Sequence, residues 1–168
     1  MQGKIDIDRL FFWTDLFGIK VVFRNLRPGL LGSADAWRKI ITLDESLRDR
    51  PRLMKCVLAE EIGHILYPPR PGHIRYHSTG FWETEYLERS HLKVIVAQDE
   101  RKALTWATGV LIPDVEFWRA IGEKHNTIYK LADYFEVEDW FVWIKIGYIR
   151  RKASNQGQRL KWRDIIRR

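Results

Sequence analysis

Cysteine is nearly absent from this chain of 168 residues, and long uninterrupted apolar runs are missing. The single cysteine, Cys56, cannot form an internal disulfide, which favours a reducing compartment such as the cytoplasm. No stretch approaches the ~18 consecutive apolar residues of a membrane-spanning helix, and the first residues lack the apolar core of a signal peptide. We therefore expect a cytoplasmic protein without a membrane segment.

Acidic residues are too few to balance the basic ones, and the net charge is +7. The excess is confined to one end of the chain. Between Arg150 and Arg168 there are eight basic residues and one acid, whereas the rest of the chain carries 21 of each. We expect this basic tail to be solvated, with contact to nucleic acid as the alternative.

Apolar and aromatic residues are plentiful by contrast, at 45% and 13% of the chain, with eight tryptophans. This composition excludes disorder for most of the length, and 168 residues suffice for one domain with a real core. We predict a domain over 1–123 that carries the motifs described below, a helical pair over 124–152 packed on it, and the basic tail over 153–168.

Residue periodicity predicts an α+β fold that is mainly helical. Helices are predicted over 6–17, 51–66, 91–111, 114–121, 128–135 and 140–151. Strands rich in β-branched and aromatic residues are predicted over 19–24 and 37–43, separated by a turn segment over 27–32. Residues 67–90 lack periodicity and are predicted as a long loop, a kind of segment that is often functional. Asp44 and Thr127 are predicted helix caps.

The segment from Val57 to Leu66 carries the pattern of a metal site. Glu60 and His64 are four residues apart, so on a helix both side chains point to the same face and can hold one metal ion. Glu61 is the next residue round the helix and can reach a water molecule on that metal, which makes it the candidate general base. The flanking residues are apolar, so the helix is expected to be buried, and buried acidic side chains need a partner.

Glu100, in the next long helix, offers a further carboxylate. Ala103 and Ala107 follow it at i+3 and i+7 and therefore share its face of the helix. Small residues there would let this helix approach the first closely enough for both to contact one ion. Three protein ligands would leave the fourth position of a catalytic metal site to water.

Together these segments resemble the ImmA/IrrE family of metallopeptidases. The family's first motif reads Leu-Ala-(His/Glu)-Glu-Leu-Gly-His, and residues 58–64 read Leu-Ala-Glu-Glu-Ile-Gly-His. The second motif has a glutamate, then an alanine, an aromatic–alanine pair and a proline, which match Glu100, Ala103, Trp106, Ala107 and Pro113. The resemblance covers residues 19–151 and includes a Pro-Gly-Leu-x-Gly turn over 28–32.

The resemblance implies a zincin-like minimal metallopeptidase with a small sheet and a C-terminal helical bundle. It implies His64 and Glu100 as metal ligands, Glu61 as the base, and a helix–turn–helix repressor of a phage or mobile element as the protein substrate. Glu60 stands where many members have histidine. One divalent metal is expected, with zinc first, and the oxygen-rich ligand set makes manganese or iron the alternatives.

Several roles near the site stay open at this stage. A further histidine could complete the metal shell, and the candidates are His73, His77 and His91, with His77 favoured. The group that stabilises the oxyanion could be Tyr67, Tyr76 or His77.

Two other functions are alternatives to a peptidase. Residues 127–149 can be drawn as a helix–turn–helix beside the basic tail, an arrangement that would favour DNA binding. The second of these helices is almost wholly apolar, however, and such a helix is expected to pack instead of contacting bases. The other alternative is a non-catalytic regulator that keeps the peptidase fold and binds a repressor or DNA without cleavage.

Overall fold

The computed structural model describes residues 5–68, 77–78, 91–161, 163 and 165–166, and for 77–78 and 91–99 it describes the backbone alone. The chain divides into two units, Ile5–Ala107 and a second that contains Thr108–Arg168. The fold class is α+β and mainly helical, as the sequence predicted. None of the described helices combines the length and the apolar character that a membrane span requires.

The first unit contains a small mixed sheet preceded by helix α1 (Ile7–Leu16), which Asp6 caps by accepting a hydrogen bond from the backbone of Arg9. The strands are β1 (Lys20–Arg24), β2 (Leu30–Asp35), β3 (Ile40–Asp44) and β4 (His77–Ser78). Their order is β1-β3-β2-β4. β1 runs parallel to β3, whereas β2 is antiparallel to both of its neighbours.

The sheet differs from the prediction in three places. β2 begins at Leu30, inside the predicted turn segment. It was not predicted as a strand because glycine and alanine have a low propensity for strands. The second predicted strand begins only at Ile40, since the residues before it form a turn in which Trp37 is 94% exposed and Lys39 has a φ of 53°. The predicted long loop contains the two-residue strand β4.

The first unit also contains α2 (Pro51–Leu66) and most of α3 (His91–Leu111), whose last residues, from Thr108, belong to the second unit. Both helices have the bounds that the sequence predicted. Asp44 caps the 3-10 turn Glu45–Leu47 that leads into α2. α2 packs on β2 and β3, and the alternation of β3 turns Ile41 and Leu43 into the core. α2 is therefore buried over most of its length, from Leu53 to His64.

The second unit contains α4 (Asp114–Gly122), α5 (Ile128–Phe135) and α6 (Asp139–Asn155), and Thr127 caps α5 as predicted. Lys145 of α6 is buried and donates to Asp114 at 2.6 Å, and Lys152 donates to the same carboxylate at 2.8 Å. Burial alone would raise the pKa of Asp114, but these two hydrogen bonds outweigh burial and lower the pKa.

Several apolar residues of α6 are buried, namely Phe141, Val142, Ile146 and Ile149, whereas Trp143 is 47% exposed. Farther along, Ile165 and Ile166 are also buried, at 2% and 4% exposure. This part of the predicted tail is thus packed, although the described basic residues after Lys152, namely Arg159, Lys161 and Arg163, are exposed.

Candidate metal centre

Helix α2 carries three of the candidate residues into the interior. Glu60, Glu61 and His64 are 4%, 1% and 6% exposed. Pro51 occupies the first turn of the helix, where its missing N–H costs nothing, and α2 continues unbroken through the motif. Because Glu60 and His64 are one turn apart, their side chains leave the same face of the helix.

Helix α3 brings Glu100, which is 6% exposed, to the same place. The two helices approach each other at Gly63 and Ala103, where a β-carbon on Gly63 would lie 2.7 Å from the carbonyl oxygen of Ala103. Only glycine permits this approach of backbone to backbone. Ala103 and Ala107 are fully buried, in agreement with the prediction that small residues on this face of α3 allow close packing.

Glu60, His64 and Glu100 each offer one ligand atom, and these three atoms all lie within 4.8 Å of one another. The His64 Nε2 atom lies 3.4 Å from Oε2 of Glu100. One imidazole nitrogen and two carboxylate oxygens at this spacing fit a single divalent ion, with the donor types that zinc, manganese and iron accept. The structure therefore brings together the three residues that the sequence predicted as ligands.

The electrostatics of the centre also fit a cation. Burial, and then the neighbouring carboxylate of Glu100, raise the pKa of Glu60 well above the ordinary value for glutamate. Burial, followed by the charges of Glu60 and Glu100, does the same to Glu61. Three ionised carboxylates in one buried place repel one another, and a divalent cation would offset both this repulsion and part of the cost of desolvation.

Glu61 lies against β2. A β-carbon on Gly32 would lie 2.7 Å from Oε1 of Glu61, so the strand passes directly beside this carboxylate. Gly32 was not predicted as a residue near the site, because segment 27–32 has the sequence of a turn. The signal that could have identified it was the glycine at the end of the Pro-Gly-Leu-x-Gly pattern.

The remaining candidates are placed only in part. Tyr67 follows α2, is 44% exposed and lines a cavity of about 490 Å³ together with residues of α3, namely Arg101, Lys102, Thr105 and Trp106. His77 belongs to β4 and His91 begins α3, but their side chains are outside the described residues, as are His73 and Tyr76 altogether. Cys56 is buried within α2.

The family model for the IrrE N-terminal-like domain, peptidase family M78, matches residues 14–139, which include α2, β1 to β4, α3 and the three clustered side chains. No curated protein matches the chain.

Proposed function

This chain belongs to the IrrE N-terminal-like family of metal-dependent peptidases, the ImmA/IrrE metallopeptidases, and on that premise we propose that it is an endopeptidase that cleaves a helix–turn–helix repressor of a phage or mobile element. The observation that supports the proposal best is the buried group of Glu60, His64 and Glu100, with Glu61 beside it on α2. Two purely structural helices gain nothing from burying four ionisable side chains together, three on α2 and one on α3, since each side chain loses its hydration there.

Glu60, His64 and Glu100 would hold one divalent metal ion. When bound, this ion lowers the pKa of a water molecule and polarises the scissile carbonyl group. Zinc is the first candidate. Glu60 in place of a histidine makes the set richer in oxygen, so manganese and iron are the alternatives.

Glu61 would act as the general base. Its carboxylate takes a proton from the attacking water as the water oxygen bonds to the carbonyl carbon. The same carboxyl group then delivers the proton to the leaving amine as the carbon–nitrogen bond breaks. In the metal-free protein, burial and then the neighbouring carboxylates raise the pKa of Glu61, so this carboxyl group is able to carry a proton.

The substrate and compartment follow from the family and the composition. Members of this family inactivate repressors, so a helix–turn–helix protein is the expected substrate. A single cysteine, buried in α2, suits the reducing cytoplasm in which such repressors act.

Metal content and cleavage test the proposal together. Protein purified without chelator should contain one equivalent of a divalent metal by elemental analysis, and the Glu60→Ala, Glu100→Ala double variant should contain none. Glu61→Gln keeps the shape of the side chain, so it should retain the metal while cleavage falls at least about a hundredfold.

The cleavage assay uses a panel of helix–turn–helix repressors, with an unrelated DNA-binding protein as the control. Full metal content in the double variant would show that the ligands are wrong. Equal cleavage by wild type and Glu61→Gln would show that Glu61 is not the base. If the wild type binds a repressor without cleaving it, the protein is a regulator that keeps the peptidase fold.

A further inference from the structure

Gly32 of β2 faces the carboxylate of Glu61. A β-carbon there would lie 2.7 Å from Oε1 and 3.2 Å from Cδ of Glu61, and 2.8 Å from Cγ1 of Val57. Real β-carbons essentially never approach other heavy atoms more closely than 3.0 Å. The space that the glycine leaves is therefore filled by the side chains of Val57 and of Glu61, the proposed base.

Backbone conformation does not explain this glycine. The glycines with positive φ in the described residues are Gly18, Gly29 and Gly157, and Gly32 is not among them. Any L-residue could adopt the backbone angles of this strand. What distinguishes Gly32 is the absence of a side chain, and hence the room that it provides.

The strand cannot easily withdraw to make room for a larger residue. β2 is hydrogen-bonded on both sides, with Gly32 opposite Leu43 of β3 and opposite His77 of β4. The register against β4 shifts between Leu30 and Gly32, an irregularity of the kind that often re-aims a strand beside an active site. A methyl group at position 32 would thus have to displace the side chain of Glu61 or of Val57.

Of the two side chains opposite, that of Glu61 yields more readily. Val57 is β-branched, is 2% exposed and has a stiff χ1 angle, so its methyl group is held in the core. The carboxylate of Glu61 is the far end of a longer chain and can swing away. An added methyl group should therefore displace the base most, with only a small shift of the strand to relieve the 2.8 Å approach to Val57.

We propose that Gly32 is a positioning residue that fixes the carboxylate of Glu61 for proton transfer. This inference rests on the proposed role of Glu61 as the base. The three atoms closest to a β-carbon at position 32 belong to Glu61 and Val57 and to none of the metal ligands. Gly32→Ala should consequently disturb the base and spare the metal.

Kinetics test the catalytic part of the proposal. A misplacement of about 1 Å costs on the order of a hundredfold in rate. The metal-loaded protein is assayed with a repressor that it cleaves, or with fluorescein-labelled casein, as the substrate. Gly32→Ala should lower kcat by about ten- to a hundredfold while KM and metal stoichiometry stay near wild type. The control is Gly109→Ala on α3, where a β-carbon meets nothing within 4 Å. A Gly32→Ala protein with full kcat, or one that loses its metal, overturns the proposal.

A stability cycle tests the contact without any substrate or metal. Thermal unfolding of the metal-free protein is compared for Gly32→Ala in three backgrounds: wild type, Glu61→Ala and Val57→Ala. If the methyl group meets Glu61, the fall in Tm seen in the wild-type background should largely disappear in the Glu61→Ala background and persist in the Val57→Ala background. The opposite pattern would assign the contact to Val57 and refute the inference.

The two experiments separate this inference from the proposed function. If Glu61→Gln cleaves as well as wild type, the proposed function fails, and the positioning role fails with it even where the stability cycle shows coupling. If Glu61→Gln is inactive and Gly32→Ala is fully active, the proposed function stands and the positioning role alone is refuted.

Discussion

Among single residues, Glu60 contributes a carboxylate to the proposed metal site, and this carboxylate has consequences for the choice of metal. It shares a buried site with Glu100 and Glu61, where burial and then the charge of Glu100 raise the pKa of Glu60. Burial and then the charges of Glu60 and Glu100 raise the pKa of Glu61. Replacing Glu60 by histidine would supply a second imidazole nitrogen and remove one of the three carboxylates. Nitrogen ligands favour zinc over manganese more strongly than oxygen ligands do.

We therefore expect Glu60→His to raise the selectivity for zinc over manganese. The measurement is the ratio of the two dissociation constants, obtained by competition with a chromophoric chelator. Glu60→Gln serves as the matched control, since it removes the charge without adding nitrogen coordination of the imidazole type. An unchanged ratio in Glu60→His would indicate that residue 60 does not contact the ion.

The raised pKa values at the centre predict how pH affects the metal-free protein. Glu60 and Glu61 hold protons in the folded state at pH values where the unfolded chain, with an ordinary glutamate pKa of about 4.3, has lost them. Stability of the metal-free protein should therefore fall as pH rises from about 4.3 through the raised pKa values. Metal binding removes these protons, so the stabilisation that the metal provides should increase as pH rises.

The expected result is a larger difference in Tm between zinc-loaded and chelator-treated protein at about pH 8 than at about pH 5. Differential scanning calorimetry at the two pH values measures it. The Glu60→Ala, Glu100→Ala variant should show no difference at either pH. A difference that shrinks as pH rises would contradict the assignment of buried, protonated carboxylates to the site.

At the scale of the helices, the contact between α2 and α3 sets the distance between the metal ligands. A β-carbon on Gly63 would lie 2.7 Å from the carbonyl oxygen and 2.9 Å from Cα of Ala103. These are backbone atoms, so α3 itself would have to shift. Glu100 would then move away from His64, which now lies 3.4 Å from it.

Gly63→Ala should therefore weaken metal binding, and overpacking of this kind should also lower stability by about 1–3 kcal/mol. Isothermal titration with zinc gives the dissociation constant, and chemical denaturation gives the free energy of unfolding. Adding Ala103→Gly should not restore binding, because the contact is with the backbone of residue 103. Gly109→Ala, in open space on the same helix as Ala103, is the control. Zinc affinity unchanged by Gly63→Ala would show that the helix spacing does not control the site.

At the scale of the whole molecule, the chain separates a charge-neutral body from a strongly basic end. The end is not simply solvated, since Ile165 and Ile166 are buried. Burying an isoleucine side chain contributes about 1.5–3 kcal/mol, less the entropy of ordering the chain around it. Truncation of the basic end and removal of its charges should thus have different effects on the free energy of unfolding.

Ending the chain after Asn155, where α6 ends, should lower the free energy of unfolding by on the order of 2 kcal/mol. The matched variant Arg159→Gln, Lys161→Gln, Arg163→Gln keeps both isoleucines and should change stability by no more than about 0.5 kcal/mol. Chemical denaturation distinguishes the two. Equal stability of the truncated and full-length chains would mean that the isoleucines do not contribute.

The same charge variant tests DNA binding. Each phosphate contact adds about −0.9 to the slope of log affinity against log salt on duplex DNA. We expect no change in affinity or slope when fluorescence anisotropy is measured on a labelled duplex. A markedly shallower slope in the charge variant would identify the basic tail as a DNA-binding segment.

The sequence by itself determined the long helices and the family. α2, α3 and α5 have the predicted bounds, because apolar periodicity, capping residues and prolines are local signals that act within a few residues. The spacing of Glu60, Glu61 and His64 likewise needed only the pitch of a helix. These features could be predicted from the chain alone.

Tertiary structure decided what depends on distant parts of the chain meeting. β2 was missed because a glycine-containing strand is stabilised by its partners β3 and β4 and by α2, not by its own propensity. Burial of Ile165 and Ile166 could not be predicted either, because the residues around them in the sequence are polar and basic. The approach of Gly32 to Glu61 and of Gly63 to Ala103 depends on how a strand and a second helix pack on α2, because the room left by a missing side chain is defined only by the atoms that surround it.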